Sequence, residues 1–222
     1  MRETEKLEDL ATDRILSLAE LKEDNLFCKI PRDSIDKYLL EAMDIGINEA
    51  EKIRSSYCDK DIFKICAEKK VQLKAANNEL STDLIKLRCK YVPESKEIQI
   101  YKHSLKDIAG KIAALEFSHA LDYEKILEIQ VVHEFFHFLE IEEIGLIDKK
   151  FQKIRVSKLF TKTKEYTVVK TRDIAAHMFC KKFLNLSYHP KLIDYLYLIA
   201  TGYTSFDYLE NYFNELNSMI NI

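Results

Sequence analysis

The chain has 222 residues, of which 47% are hydrophobic, so it can bury the core of one large domain or of two small ones. Charged residues make up 32%, but they nearly cancel to a formal net charge of −3, which is not the basic footprint of a nucleic-acid-binding protein. No apolar run reaches the length of a membrane span, and residues 1–6 lack the apolar core of a secretion signal. The five cysteines are an odd number without a Cys-x-x-Cys pair, which predicts free thiols in a reducing compartment. We therefore expect a cytoplasmic protein with no direct nucleic-acid partner and no membrane contact.

The first 60 residues predict a helical region. Residues 1–28 carry leucine and isoleucine at helical spacing among many charges, which predicts one amphipathic helix. Pro31 interrupts this helix, and Ser34 is placed to cap a second one. Gly46 weakens the second helix but need not end it. A short third helix is expected around residues 62–66.

From residue 71 onward the pattern alternates between apolar and polar positions, which is typical of strands. Residues 71–75 and 85–92 alternate in this way, and Asn77-Asn78 between them predicts a turn. A third alternating stretch covers residues 98–101. We expect a small sheet of about three strands, one face of which is covered by helices.

The second half of the chain predicts five further helices and one connector. The first is a helix at 104–120 capped by Ser104, and the second is a helix at 121–144 ended by Gly145. A connector at 146–170 follows, with extended pieces at 154–159 and 166–169, and then a helix begins at Thr171 or Asp173 and stops before Pro190. The last two helices lie within 191–218 and separate at Gly202, where Thr204 and Asp207 are spaced as a capping box. The fold class is therefore α+β and predominantly helical. We divide the chain into an N-terminal helical region (1–60), a core (61–190) and C-terminal helices packed on that core (191–222), together forming one compact unit.

The helix predicted at 121–144 contains the pattern that organises the chain. His133 and His137 lie four residues apart, so their rings share one face of the helix and can bind one metal ion. Glu134 lies about 100° round the helix and can reach a water on that ion. This His-Glu-x-x-His arrangement is typical of zinc-dependent peptidases, with Glu134 as general base. Chance would produce the pattern about 0.01 times in a chain of this composition, and a pair of hydrogen-bonded core histidines would not require the glutamate.

A catalytic zinc needs a third protein ligand and an open position for water. Asp173 and His177 lie four apart on one face of the helix that begins near residue 171, and either one can supply it. If Asp173 binds the metal, His177 supports it or polarises the substrate; if His177 binds, Asp173 orients its ring. Glu140 is a further alternative ligand. Because three ligands along one straight helix diverge too far, we expect Glu140 to hydrogen-bond to a ligand histidine instead.

These features resemble the zincin peptidases of the ImmA/IrrE type. In that family a small sheet precedes the His-Glu-x-x-His helix, and a later helix typically reads Glu-x-x-Ala-Asn-x-Phe-Ala. Residues 173–180 of this chain read Asp-Ile-Ala-Ala-His-Met-Phe-Cys, so the resemblance carries the ligand role of the family's glutamate onto Asp173. It covers roughly residues 60–187. It implies a zincin-like core, a Zn²⁺ cofactor and a regulatory peptidase that cuts a protein partner, often a transcriptional repressor.

The chemistry implied is metal-assisted hydrolysis of a peptide bond, in which Glu134 takes a proton from water and later passes it to the leaving amine. We expect the substrate to lie along the exposed edge of the small sheet, at the strand 98–101, by strand addition. Tyr166, His177 and Tyr188 are candidates for an electrophilic helper.

Two other functions compete with the peptidase. One is a catalytically silent zinc-binding protein that acts as a sensor or interaction module. The other is a di-iron helical bundle, for which Glu134-x-x-His137 and Glu116-x-x-His119 would supply two Glu-x-x-His pairs. The predicted strands at 71–101 argue against the bundle.

Overall fold

Helices form most of this computed structural model, which describes residues 2–58, 60–76, 87–117, 119–156 and 163–220. The helices in these ranges are α1 (Glu3–Leu10), α2 (Asp13–Lys22), α3 (Ile35–Ser56), α4 (Ile62–Glu68), α5 (Lys102–Ile112), α6 (Tyr123–Leu139), α7 (Thr171–Leu184), α8 (Leu192–Ala200) and α9 (Phe206–Ile220). The strands are β1 (Gln72–Ala75), β2 (Cys89–Val92), β3 (Glu97–Ile100), β4 (Ile154–Val156) and β5 (Lys164–Tyr166). The prediction of a predominantly helical α+β protein is confirmed.

The N-terminal region differs from the prediction of one helix over residues 1–28. Thr12 has an extended backbone, and its hydroxyl accepts a hydrogen bond from the backbone amide of Ile15 at 3.4 Å, so it caps α2 and separates it from α1. Ser34 occupies the N-cap position of α3 as predicted, but its side chain forms no capping hydrogen bond, because its hydroxyl donates to Asp33. A 3₁₀ turn, Arg32–Ser34, leads into α3.

Helices α3 and α7 cross in close contact at Gly46. A Cβ atom added at Gly46 would lie 2.1 Å from the carbonyl oxygen of Ala175 and 2.9 Å from the amide nitrogen of Phe179. The small residues of α7 therefore admit another helix, and α3 continues through Gly46 without a break. This crossing fixes α7 against the N-terminal half of the chain.

The small sheet has the order β1-β3-β2, with β1 parallel and β2 antiparallel to β3. The predicted set of three strands is thus confirmed, although the predicted turn at Asn77-Asn78 and the residues 85–86 lie outside the described part of the chain. Because β3 is the central strand, the expectation that residues 98–101 form an exposed edge is wrong. The edge strand beside α6 is β2.

Helix α5 begins at Lys102, two residues before the predicted cap at Ser104, which is buried inside the helix. It also ends at Ile112, well before the predicted end at residue 120. The side chain of Asp122 caps α6 by accepting from the amide of Lys125 at 2.8 Å. After Leu139 the helix widens into one π-turn (Glu140–Ile144), and Gly145, at φ 82°, ends it as predicted.

The connector between α6 and α7 forms the antiparallel hairpin β4–β5. Its first strand lies within the predicted extended piece at 154–159, of which residues 157–159 fall outside the described ranges, and the second strand lies two residues before the predicted one. Gly202, at φ 76°, separates α8 from α9 as predicted. The cap of α9 is Ser205, whose hydroxyl accepts from the amide of Tyr208 at 3.2 Å, in place of the expected Thr204.

One cluster of buried apolar side chains includes residues from all three predicted segments, among them Leu16, Phe135, Phe179 and Phe213. The division at residues 60 and 190 stays a prediction. Among the described residues, none of the helices combines the length and the apolar character needed to cross a bilayer.

Candidate metal centre

Helices α6 and α7 bring three predicted ligands together. The Nε2 atoms of His133 and His137 lie 3.2 Å apart, and Oδ1 of Asp173 lies 3.9 Å and 3.6 Å from them, respectively. A point about 2.1 Å from all three atoms satisfies these distances, and this is the usual distance between zinc and an imidazole or carboxylate ligand. Among the described residues, this is the group of three that can hold a metal ion.

The donor set also fits zinc in its chemistry. Two imidazole nitrogens and one carboxylate oxygen match the three-ligand sets of catalytic zinc sites, which leave one position open. The three side chains are only partly buried, so the centre is accessible from solvent. The structure thus brings His133, His137 and Asp173 together, while metal binding by them and the identity of the ion stay predictions.

Glu140 lies behind His137, where its carboxylate organises the site. It is fully buried and accepts hydrogen bonds from Nε of Arg172 and from the amide of Ile147, both at 2.8 Å. Its second oxygen lies 3.1 Å from Nδ1 of His137. A proton on Nδ1 leaves Nε2 free to bind a metal. The expectation that Glu140 supports a ligand histidine agrees with these contacts.

The three ligand groups carry different charges in the metal-free protein. Burial and the neighbouring His137 lower the pKa of His133 to about 3, so its ring is neutral at pH 7. Burial also opposes protonation of His137, but the carboxylates of Asp173 and Glu140 outweigh it and raise its pKa to about 10. Burial would raise the pKa of Asp173, but the histidines and Lys170 hold it well below its ordinary value. A metal bound through Nε2 of His137 requires that nitrogen to be unprotonated, so it would compete with the protonation that these carboxylates favour.

Glu134 lies beside the ligands and faces the edge strand of the sheet. Its Oε2 accepts a hydrogen bond from the backbone amide of Tyr91 at 2.7 Å. Burial raises the pKa of Glu134, although the charge of His137 and the Tyr91 amide oppose this effect. A carboxylate with a raised pKa is better able to accept a proton near neutral pH.

Two cavities border the candidate centre, one on each side. The larger has a volume of about 510 Å³ and the smaller about 220 Å³, and Glu134 and Asp173 line both. The segment around the edge strand β2 borders both cavities, since residues 87–89 line the larger one and Tyr91 lines the smaller one. Glu134 and Asp173 thus border two cavities that both lie beside the segment around β2.

His177 lies next to the centre but outside the ligand set. Its ring centroid is 4.9 Å from that of His133, and its Nδ1 lies 4.0 Å from Oε2 of Glu20. His177 also lines the larger cavity. The geometry therefore favours Asp173 as the third ligand and places His177 where it could contact a bound substrate.

The other predicted helpers lie elsewhere. Tyr188 is buried against the rings of Phe117 and His119, and Tyr166 is 45% exposed on the β4–β5 hairpin. His119 itself contacts Oε1 of Glu8 at 2.5 Å. Among the described residues, Glu116 and His119 do not join the group that could hold a metal, so the geometry gives no support to the di-iron alternative.

Sequence reasoning missed the charged residues that surround Asp173. Lys170 contacts Asp173, and Glu20 of α2 contacts both Lys170 and Lys191. The position of Lys170 three residues before Asp173 on the same helix was an available signal. Glu20 is far away in the sequence and lies within an ordinary amphipathic pattern, so no local signal pointed to it.

Comparisons with known proteins add no relative to this picture: no family model, curated protein or solved structure matches the chain. A function for this chain is therefore inferred from the geometry of the centre.

Proposed function

We propose that this protein is a zinc-dependent metallopeptidase that hydrolyses a peptide bond in a protein partner. The observation that carries the proposal is the convergence of His133, His137 and Asp173 beside Glu134, next to two cavities that Glu134 and Asp173 both line. A bound zinc ion would polarise the scissile carbonyl and lower the pKa of water to about 7. We place the activity in the cytoplasm, on a regulatory partner such as a transcriptional repressor.

The residues around the centre divide the work of hydrolysis. Glu134 accepts the proton of the attacking water and returns it to the leaving amine. The backbone amide of Tyr91, in strand β2, donates to the carboxylate of Glu134 and orients it. Glu140 keeps the proton of His137 on Nδ1, so that Nε2 faces the centre.

The edge strand β2 supplies a surface for an extended substrate. The amide of Tyr101 donates to the carbonyl of Arg88, so this pair is hydrogen-bonded within the sheet. Because bonding alternates along an antiparallel pair, the backbone groups of Cys89 and Tyr91 point away from β3, to the side of β2 that none of the described strands covers. The amide of Tyr91 already donates to Glu134, so a substrate would pair with Cys89 and with the carbonyl of Tyr91. A peptide that adds to this edge would pass both cavities and cross the centre.

The first experiment measures metal and activity together. Zinc content is determined by elemental analysis, and cleavage is followed by mass spectrometry on a proteome-derived peptide library. We expect one zinc per chain in the wild type and in Glu134→Gln, but a loss of cleavage of about 10²- to 10⁴-fold in that variant, the usual contribution of a general base. Glu124→Gln, at an exposed position of the same helix, is the matched control and should cleave normally.

The outcomes separate the parts of the proposal. No zinc after purification without chelator and after reconstitution would contradict the metal centre. If the wild type holds one zinc per chain but cleaves no peptide, the protein is a catalytically silent zinc-binding protein and not a peptidase. Unchanged cleavage by Glu134→Gln would remove the role of this residue as base.

A further inference from the structure

A cluster of charged side chains, of which Glu20 and Lys191 are buried, joins the N-terminal helix α2 to the candidate metal ligand Asp173. Its members come from three distant parts of the chain: Glu20 and Glu23 at the end of α2, Lys170 at the start of α7, and Lys191 just before α8. Glu20 is 3% exposed and Lys191 is 5% exposed. Charges this well buried need specific partners, because removal from water penalises each of them.

Lys170 is the centre of the cluster. Its Nζ lies 2.5 Å from Oε1 of Glu20, 3.2 Å from Oε2 of Glu23 and 3.2 Å from Oδ2 of Asp173. Lys191 contacts the second oxygen of Glu20 at 2.5 Å and Oε1 of Glu23 at 2.7 Å. The two acids of α2 therefore hold Lys170 in place against Asp173.

The two oxygens of Asp173 have separate partners. Oδ1 faces His133 and His137, while Oδ2 faces Lys170. An ammonium group on Oδ2 favours binding of a metal through Oδ1 alone and fixes the rotation of the carboxylate. Groups that orient metal ligands in this way contribute to metal affinity.

The backbone of Lys170 is held by the same segment. Its amide donates to Oδ2 of Asp24 at 3.0 Å, and Asp24 follows α2 directly. Lys170 is the N-cap residue of α7, so Asp24 satisfies a backbone donor at the start of the helix that carries Asp173. The end of α2 therefore fixes both the backbone and the side chain of Lys170.

We propose that Lys170 is a positioning residue for the metal centre, and that Glu20 of α2 completes the centre by holding Lys170 against Oδ2 of Asp173. This inference rests on the metal site of the proposed function, but not on peptidase activity. It makes the N-terminal helices a working part of the site. Zinc affinity then depends on a helix about 150 residues away from the ligand in sequence.

The test measures zinc affinity by competition with a chromophoric chelator on the full-length chain. Lys170→Met removes the charge but keeps most of the stem, and we expect it to weaken zinc binding by about 10- to 100-fold, as for other groups that orient metal ligands. Lys170→Arg should restore most of the affinity. Lys182→Met is the matched control, because Lys182 lies on the same helix in an exposed pair with Glu51, and its affinity should equal that of the wild type.

The contribution of α2 is tested with Glu20→Gln. We expect a smaller loss of affinity than in Lys170→Met, and no additional loss when the two changes are combined, since both act on one network. The visible spectrum of the Co²⁺-substituted protein should change in Lys170→Met and not in Lys182→Met, because it reports the coordination of Asp173.

Several results would overturn the inference. Wild-type zinc affinity in Lys170→Met, with reduced thermal stability of the zinc-free protein, would show that Lys170 only joins two helices. If Lys170→Met does not fold, wild-type affinity in a folded Glu20→Gln would have the same meaning. A wild type that binds zinc but cleaves no peptide would contradict the proposed function alone, and the zinc affinities of the variants would still decide this inference. A wild type that binds no zinc would contradict both the proposed function and this inference.

Discussion

At the scale of single residues, the three carboxylates around His133 and His137 differ in the groups that contact them. Glu134 faces the amide of Tyr91, Asp173 faces Lys170, and Glu140 faces Arg172. Each partner holds its carboxylate in one orientation, so that the three acids do not compete for the same position. The chemistry of the centre therefore depends on these partners as much as on the ligands.

The role of Glu140 can be tested directly. In Glu140→Gln the charge that holds the proton on Nδ1 of His137 is lost, so we expect zinc affinity to fall by about 10- to 100-fold. Chelator competition measures the change. Glu143→Gln is the control, because Glu143 lies in the same π-turn but forms a more exposed pair with Lys69. Equal affinities of the two variants would contradict this role.

At the scale of elements, the crossing of α3 and α7 decides where Asp173 lies. The backbone of α7 approaches Gly46 so closely that no side chain fits between the two helices. Any substitution there must push α7 away from α3. Because α7 carries Asp173 whereas α6 carries both histidines, such a shift would separate the ligands.

We expect Gly46→Ala to lower the free energy of unfolding by about 1–3 kcal/mol, the usual cost of overpacking, and to weaken zinc binding as well. Denaturant unfolding and chelator competition measure the two effects. Gly110→Ala in α5 is a matched control, since an added Cβ there meets no atom within 4 Å. That control should gain about 0.5–1 kcal/mol from helix propensity. A Gly46→Ala variant as stable as Gly110→Ala would contradict the close crossing.

The elements that were predictable are those encoded by local spacing. Helix α6 and the convergence of His133 with His137 follow from apolar and histidine positions three and four apart. The separation of α1 from α2 was missed, because apolar spacing continues through Thr12 and only its hydroxyl cap reveals the break. The edge position of β2 was missed as well, since strand order is not encoded in any single strand.

The surroundings of the ligands were less predictable for a related reason. Spacing left Asp173 and His177 as alternatives, and the choice between them depends on how α7 packs against α6. The contact of Glu20 with Lys170 spans 150 residues and has no local pattern. Tyr91 contributes its backbone amide to Glu134, and any residue type has that group.

At the scale of the whole molecule, a metal ion at this centre would join two helices that the chain separates by a long connector. His137 lies in the last turn of α6, and Asp173 lies in the first turn of α7. Because the three ligands converge only in the folded protein, binding selects the native state over the unfolded chain.

Zinc should therefore stabilise the protein. At a free zinc concentration of 100 times Kd, we expect the free energy of unfolding to rise by about 2.7 kcal/mol. Denaturant titrations with and without zinc give the difference. For His137→Ala, the denaturant titrations with and without zinc should coincide, because that variant lacks one ligand. A zinc-dependent shift that persists in His137→Ala would place the stabilising ion elsewhere.

The contact between Glu20 and Lys191 spans 171 residues, and this has a consequence for the order in which the protein is made. During synthesis Glu20 leaves the ribosome well before its partners Lys170 and Lys191, which follow 150 and 171 residues later. The histidines of α6 also emerge before α7, which carries Asp173. A metal bound at this centre would therefore reach its final affinity only after α7 and Lys191 have been synthesised.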